Sequence, residues 1–323
     1  MIRAYVVDGE RLRPVDDLEQ HRDAIVWADL LNPTREEEAE VERWLGIGVP
    51  TREEMEEIEI SSRLYIEDGA NFMTATLPAQ TEGDHPVMSP VTFVLAGKRL
   101  ITVRYHEPRA FLTFPMRAEK IAMGCTSGDT ILINLLEAIV DRLADVLERI
   151  GGDIDGISHR IFKPNSDKPS KRDRDFRRIF QTIGRKEELT SNIRQSLMTL
   201  QRLSGFLGNV LLQSKNKDLR ARIKTLSRDI ASLTDHASFL SNKIVFLLDA
   251  TLGMVNIEQS AIIKIFSVAA VIFLPPTVVA SIYGMNFEIM PELKWALGYP
   301  FALFLMVLSA VLPYLYFKRR GWL

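Results

Sequence analysis

Tyr283-Gly284-Met285-Asn286-Phe287 and its continuation Glu288-Ile289-Met290-Pro291-Glu292-Leu293-Lys294-Trp295 lie between two long apolar runs. The first run extends from about Ala261 to Ile282 and the second from about Ala296 to Phe317. A membrane-spanning helix needs roughly 20 apolar residues, and each run supplies them. The polar stretch is therefore expected to be a hairpin loop on one side of a bilayer. Lys318-Arg319-Arg320 directly follow the second run, Lys264 lies near the start of the first, and the loop has only Lys294 as a base. The excess of basic residues on the cytoplasmic side puts both chain ends inside and the loop outside. Tyr283, Trp295 and Tyr299 then fall at the outer interface, and Tyr316 and Trp322 at the inner one.

The 323 residues are 46% hydrophobic and 25% charged, with a formal net charge of −2. That balance gives no basic excess for nucleic acid. Charge is concentrated before residue 250, as in a soluble body on a membrane anchor. A single cysteine, Cys125, forms no internal disulfide. The N-terminus lacks the basic start and apolar core of a signal peptide, so the body is expected to stay in the cytoplasm.

The body reads as mixed α/β over residues 1–128. Strands are expected at 4–7, 24–31, 62–66, 71–78, 91–95 and 100–105, with a hairpin turn at Ala96-Gly97-Lys98-Arg99. Thr34-Arg35-Glu36-Glu37 and Thr51-Arg52-Glu53-Glu54 match the helix-starting capping box, in which hydroxyl and carboxylate each satisfy an unpaired N–H. Their many glutamates read as solvated helix faces rather than a cation site. Residues 129–260 read as long helices: 131–161, in which Gly151-Gly152 is a candidate bend, 173–203, a turn within 205–216, and a helix from Lys217 into the first apolar run. Unbroken to Tyr283, this last helix would be on the order of 100 Å long. Residues 261–283 and 297–317 are the two spans, 284–296 the outer loop and 318–323 a basic cytoplasmic tail.

Ser260, Ile263, Ser267, Ala270, Leu274, Thr277, Ser281 and Gly284 recur at spacings of three and four along the first span, so they share one stripe. Small and weakly polar residues there suit a water-filled path, and they equally suit close helix packing in a membrane. Pro275-Pro276 free backbone carbonyls mid-span, which is tolerated where protein or water surrounds them.

Tyr283-Gly284-Met285-Asn286-Phe287 with Met290-Pro291-Glu292-Leu293, the two C-terminal spans and the basic end resemble the signature of the CorA family of magnesium channels and transporters. Ile257-Glu258-Gln259, Ile262 to Ser267 and Phe273-Leu274-Pro275-Pro276-Thr277 are similar to its proteobacterial branch. The resemblance implies a funnel-shaped homopentamer in the inner membrane. Its parts would be an α/β cytoplasmic domain, a helical stalk and two C-terminal spans, with the first span of each copy lining a pore. It implies Mg2+ influx driven by membrane potential and closed by cytoplasmic Mg2+, with Co2+ and Ni2+ as alternative substrates. On it, Gly284, Met285 and Asn286 form the pore mouth, and Glu288 and Glu292 gather cations. Thr277, Ser281, Ala270, Ser267 and Ser260 line the path, Leu274, Phe266 and Ile263 form a hydrophobic gate, and Asp249 stands at the inner mouth. An amide ring at Asn286 would accept hydrogen bonds from the waters that Mg2+ sheds reluctantly. Regulatory ligands are sought among Asp218, Asp229 and Asp235. A zinc transporter of the same superfamily is the alternative within transport, and a membrane-tethered coiled-coil scaffold the alternative outside it. No nucleophile motif or phosphate-binding glycine loop points to an enzyme.

Overall fold

The computed structural model describes residues 1–83, 86–162, 169–212, 216–286 and 290–322, and of these the side chains of 169–174, 292 and 293 are not described. Met1–Leu248 and Asp249–Leu323 form two compact units.

In the first unit, strands β1 (Ile2–Asp8), β2 (Arg11–Val15), β3 (Ile25–Leu31), β4 (Leu64–Glu67), β5 (Ala70–Ala79), β6 (Val87–Ala96) and β7 (Arg99–Arg104) pair in the order β2-β1-β3-β7-β6-β5-β4. β3 and β7 are parallel, with Trp27 opposite Leu100 and Leu31 opposite Arg104. The other pairs are antiparallel. β6 and β7 meet at Ala96 and Arg99 across the expected turn. The two central strands are buried along nearly their whole length, as strands covered on both faces must be.

One face of the sheet presents Ala4, Val6, Ala28, Leu30, Val94, Ile101 and Val103, joined in a core with Val41 and Met55. Val41 belongs to helix α1 (Arg35–Leu45) and Met55 to α2 (Arg52–Glu56), followed by α3 (Ile60–Arg63). Both expected capping boxes close: Thr34 and Glu37 bond reciprocally, as do Thr51 and Glu54. The expected strand at 62–66 starts later, because a helical turn occupies Ile60–Arg63.

The alternate residues point to the other face. There Trp27 lies against Phe114 and Phe93 against Phe111, both phenylalanines from α4 (Ala110–Lys120), a helix not among the expected elements. This face also holds a charge. Arg104 and Asp29 are fully buried, and the guanidinium meets the carboxylate through Nε (3.0 Å) and Nη2 (2.7 Å). Thr102 donates to the same carboxylate (2.7 Å), Trp27 donates to Thr102 (3.1 Å), and Arg104 Nη1 donates to the His106 carbonyl (2.8 Å). Every partner offsets part of the desolvation that would otherwise forbid a buried pair. His106 donates from Nε2 to the Leu77 carbonyl (2.8 Å), while its buried Nδ1 has no partner among the described residues. Burial is the main cause that lowers its pKa, with Arg104 adding to it.

Three long helices follow: α5 (Gly128–Phe162), α6 (Pro169–Leu212) and α7 (Lys217–Tyr283). α5 is unbroken at Gly151-Gly152. α6 continues through the expected turn at Gly205 to Leu212, because Leu203, Leu207 and Leu211 keep a buried stripe going. That stripe outweighs the glycine penalty of about 1 kcal/mol per residue. α7 begins where Asn216 accepts bonds from the N–H groups of Asp218 and Leu219. It is continuous over 67 residues, as expected.

Candidate ion pathway

The second unit contains the last part of α7, the loop after it, a 3-10 turn at Pro291–Lys294, and α8 (Gly298–Arg319). α8 passes the expected end of the span at 317, so Lys318 and Arg319 form its last turn. Both helices are long and apolar enough to cross a membrane. Only 6% of each apolar window is buried inside the chain, which is the reverse of a soluble core helix. Large exposed side chains such as Ile265, Phe273, Phe304 and Val307 need lipid or another copy to cover them.

Along α7, Val268 is buried, while Ile272, Val279 and Tyr283 are half-buried. The predicted stripe lies elsewhere. At 100° per residue, Ala270, Leu274 and Thr277 each sit about 200° from Val268, Ile272 and Val279 respectively. Ser260, Ile263, Ser267, Ala270, Leu274, Thr277, Ser281 and Gly284 are all exposed. Phe266, beside the stripe, is 72% exposed. One face of the helix is thus packed, and the opposite one, carrying the small and weakly polar residues, is left without cover by this chain.

Two details of this part of the helix matter chemically. Pro275 and Pro276 stand inside the helix, so the carbonyls of Val271 and Ile272 lack their usual donors. The Thr277 hydroxyl donates to the Phe273 carbonyl (2.8 Å), which commits its proton to the helix and leaves its oxygen lone pairs as acceptors.

α7 stops at Tyr283, and Gly284 follows immediately. Its N–H is shared between the carbonyls of Ala280 (3.0 Å) and Ser281 (3.2 Å), and Met285 N–H donates to Ile282 (3.2 Å). Gly284 is not among the positive-φ residues, so the helix ends there without a left-handed cap. Its absent side chain is a matter of space. A Cβ would lie 3.2 Å from the Ala280 oxygen. Met285 and Asn286 are exposed beyond the helix end. Glu288 lies outside the described residues, and Glu292 falls in the 3-10 turn. Trp295 packs edge-on against Phe301 at the start of α8 (6.5 Å).

The candidates further from the span are scattered. Asp218, Asp229, Asp235 and Asp249 are exposed. Asp218 lies near Arg222, whose pKa is raised first by its hydrogen bond to Glu137. Arg222 is paired with that carboxylate at 2.6 Å. Asp229 has acidic neighbours. With Glu137 and Asp141 it lines a cavity of about 290 Å³ between α5 and α7. Burial, then Glu137 and Asp145, raise the pKa of Asp141. The acids Glu137, Asp141 and Asp145 were missed in the sequence, although their spacing of four puts them on one face of α5. Among the described residues no three of His, Cys, Asp and Glu converge to hold a metal ion.

The model of the family described as CorA-like Mg2+ transporter protein matches residues 22–319. The chain belongs to the CorA family. It is 36% identical over 323 residues to the magnesium transport protein CorA of Haemophilus influenzae, with both chains fully covered. It is 37% identical over 325 residues to the protein of the same name in Escherichia coli, again over all of both. The complete structure of the CorA magnesium transporter from Methanocaldococcus jannaschii has the same fold. Its TM-score is 0.78 at 20% identity, covering 100% of this chain and 99% of that one. The α/β body, long helices and two C-terminal apolar helices are therefore a CorA architecture.

Proposed function

We propose that this CorA-family chain is a bacterial inner-membrane channel that admits Mg2+, assembled as a homopentamer around the exposed stripe of α7. The observation that carries the reading is that face: eight exposed residues in one row, ending at Gly-Met-Asn, opposite the side the chain itself packs. Two spans cannot enclose a path, so copies must. The α/β body, the long helices and both chain ends are cytoplasmic, and the loop between the spans faces outward.

Each element then has a task. Five Asn286 amides accept hydrogen bonds from the waters of a hydrated Mg2+ without stripping them, which favours entry yet allows release. Gly284 lets the five backbones come close beneath them. Glu288 and Glu292 raise the local cation concentration. Thr277 and Ser281, with Ala270, Ser267 and Ser260 beyond, carry the hydrated ion inward. Leu274, Phe266 and Ile263 close the path by expelling water from an apolar ring. Asp249 attracts the ion at the inner end. An inside-negative potential of 100 mV favours entry of a divalent ion by about 4.6 kcal/mol, twice the single-charge value. Co2+ and Ni2+ share the size and octahedral hydration of Mg2+ and follow the same path.

Cytoplasmic Mg2+ closes the channel by bridging carboxylates of neighbouring copies. Among the described residues Asp218, Asp229 and Asp235 gather no complete ligand set, so a site built on them would draw on more than one copy. Loss of the bridging ion leaves acids facing acids and loosens the assembly.

The test is reconstitution of the full chain in liposomes with an internal Mg2+ indicator and an inside-negative potential. Mg2+ influx that falls when internal Mg2+ is raised supports the reading. Zn2+ influx without Mg2+ influx overturns the choice of ion, and flux that ignores internal Mg2+ overturns the regulation.

A further inference from the structure

The C-terminal end of α8 is built, not frayed. Gly321 has φ +67°, a left-handed conformation that glycine adopts without steric cost. Its N–H donates to the Lys318 carbonyl (3.2 Å), and Trp322 N–H donates to the Phe317 carbonyl (3.0 Å). These two bonds make a helix cap of the kind that usually carries a hydrophobic contact, and the contact is present. The rings of Trp322 and Phe317 stack at 5.4 Å. Trp322 is thereby folded back onto its own helix, where it receives the ammonium of Lys264 from α7, 5.1 Å from the ring centroid.

Two further cations rest on rings in the same turns. Lys318 Nζ lies 5.9 Å from the Tyr314 ring, and the Arg320 guanidinium 5.6 Å from the Tyr316 ring. Arg319 is exposed between them. A ring face orients a cation but does not neutralise it. Among the described residues no carboxylate pairs with Lys264, Lys318, Arg319 or Arg320. The adjoining surface of α8 is apolar and exposed, with Leu312 at 57% and Leu315 at 48%. The cluster therefore offers held positive charge, unpaired by any carboxylate among the described residues, beside an apolar wall.

We propose that this cap forms a binding site for the headgroup of an anionic phospholipid of the cytoplasmic leaflet. The cations take the phosphate and the acyl chains run along α8. The proposal rests on the membrane placement of the hairpin given above. The apolar wall argues for a lipid over free phosphate, since soluble phosphate would use the charges and leave the wall bare. Clusters of Lys and Arg next to a span attract anionic lipid by an amount that corresponds to roughly fivefold in affinity per charge.

The experiment is lipid retention by the purified full-length protein. It is reconstituted in equal phosphatidylglycerol and phosphatidylcholine, then delipidated stepwise, and the lipids still bound are measured by mass spectrometry. Wild type should retain phosphatidylglycerol preferentially. K264Q and R320Q should each lower that preference roughly fivefold, and the double variant should nearly abolish it. The remaining Lys318 and Arg319 keep the orientation of the hairpin. G321A removes no charge but strains the cap, and should lower the preference as K264Q does. A double variant that retains phosphatidylglycerol like wild type overturns the proposal. So does displacement of the bound lipid by millimolar glycerol phosphate, which would make the site one for soluble phosphate. The same preparations report Mg2+ influx. Lipid preference without influx would support the headgroup site while sinking the channel reading.

Discussion

Replacing Gly284 by alanine separates the demands of one chain from those of an assembly. Within the chain, the new Cβ would sit 3.2 Å from the Ala280 oxygen and 3.6 Å from the Ser281 oxygen. The first contact is tight by a few tenths of an ångström. The backbone is not left-handed, so no conformational strain is added. Against the contact stands the smaller unfolded-state entropy of alanine, worth up to about 1 kcal/mol. The two nearly cancel, and the folded chain should change in stability by less than about 1 kcal/mol. In the proposed pentamer the same change places five methyl groups at one height around the path. A barrier increase of about 1.4 kcal/mol is enough to slow passage tenfold. The expected result is an intact assembly by mass measurement, a melting temperature within about 3 °C of wild type, and Mg2+ influx reduced at least tenfold. G284A that assembles and carries Mg2+ within twofold of wild type would refute the close-approach argument. G284A that fails to fold would refute the estimate for the single chain.

Other perturbations probe separate parts. Asp29→Ala leaves Arg104 charged and buried without its partner, at a cost of about 3–5 kcal/mol. Thermal unfolding should fall by roughly 10 °C, whereas Asp29→Leu with Arg104→Met should recover most of it. Leu274→Ser wets the proposed gate, so Mg2+ influx measured at high internal Mg2+ should rise about fivefold, and no rise would argue against dewetting. His106 has a folded-state pKa below its usual 6.5. On acidification the unfolded chain takes up the proton first, so this contribution is complete above about pH 6.5 and is lost as pH falls through that value. The melting temperature should therefore drop between pH 7 and pH 5.5, and drop less in His106→Gln. Equal slopes would contradict the assignment.

What could be read from the residues alone was what local rules determine. Thr34 and Thr51 announced their helices because the capping box is complete within four residues. The span from Lys217 to Tyr283 was legible because no proline interrupts it before Pro275, and even there the helix continues. The exposed stripe of α7 followed from its spacing. The strands at 71–78 and 91–95 were placed but drawn short, since burial continues to Ala79 and back to Pro90. Contacts between distant residues left no such trace. Asp29 and Arg104 are 75 residues apart and meet only because β3 and β7 are parallel neighbours. α4 was missed because Pro115 sits inside it and argues against a helix, although Ala110, Phe111, Phe114, Pro115 and Ala118 recur at helical spacing. Lys264 and Trp322 looked like separate interface residues. Only the left-handed Gly321 shows that the cap brings them together.

The central claim is that the ring of Asn286 amides admits hydrated Mg2+. The direct measurement is Mg2+ influx into liposomes under an inside-negative potential, comparing wild type with Asn286→Ala at matched amounts of intact assembly. Wild type should show robust influx, and the variant should lose at least about tenfold. Undiminished Mg2+ influx through Asn286→Ala would contradict it.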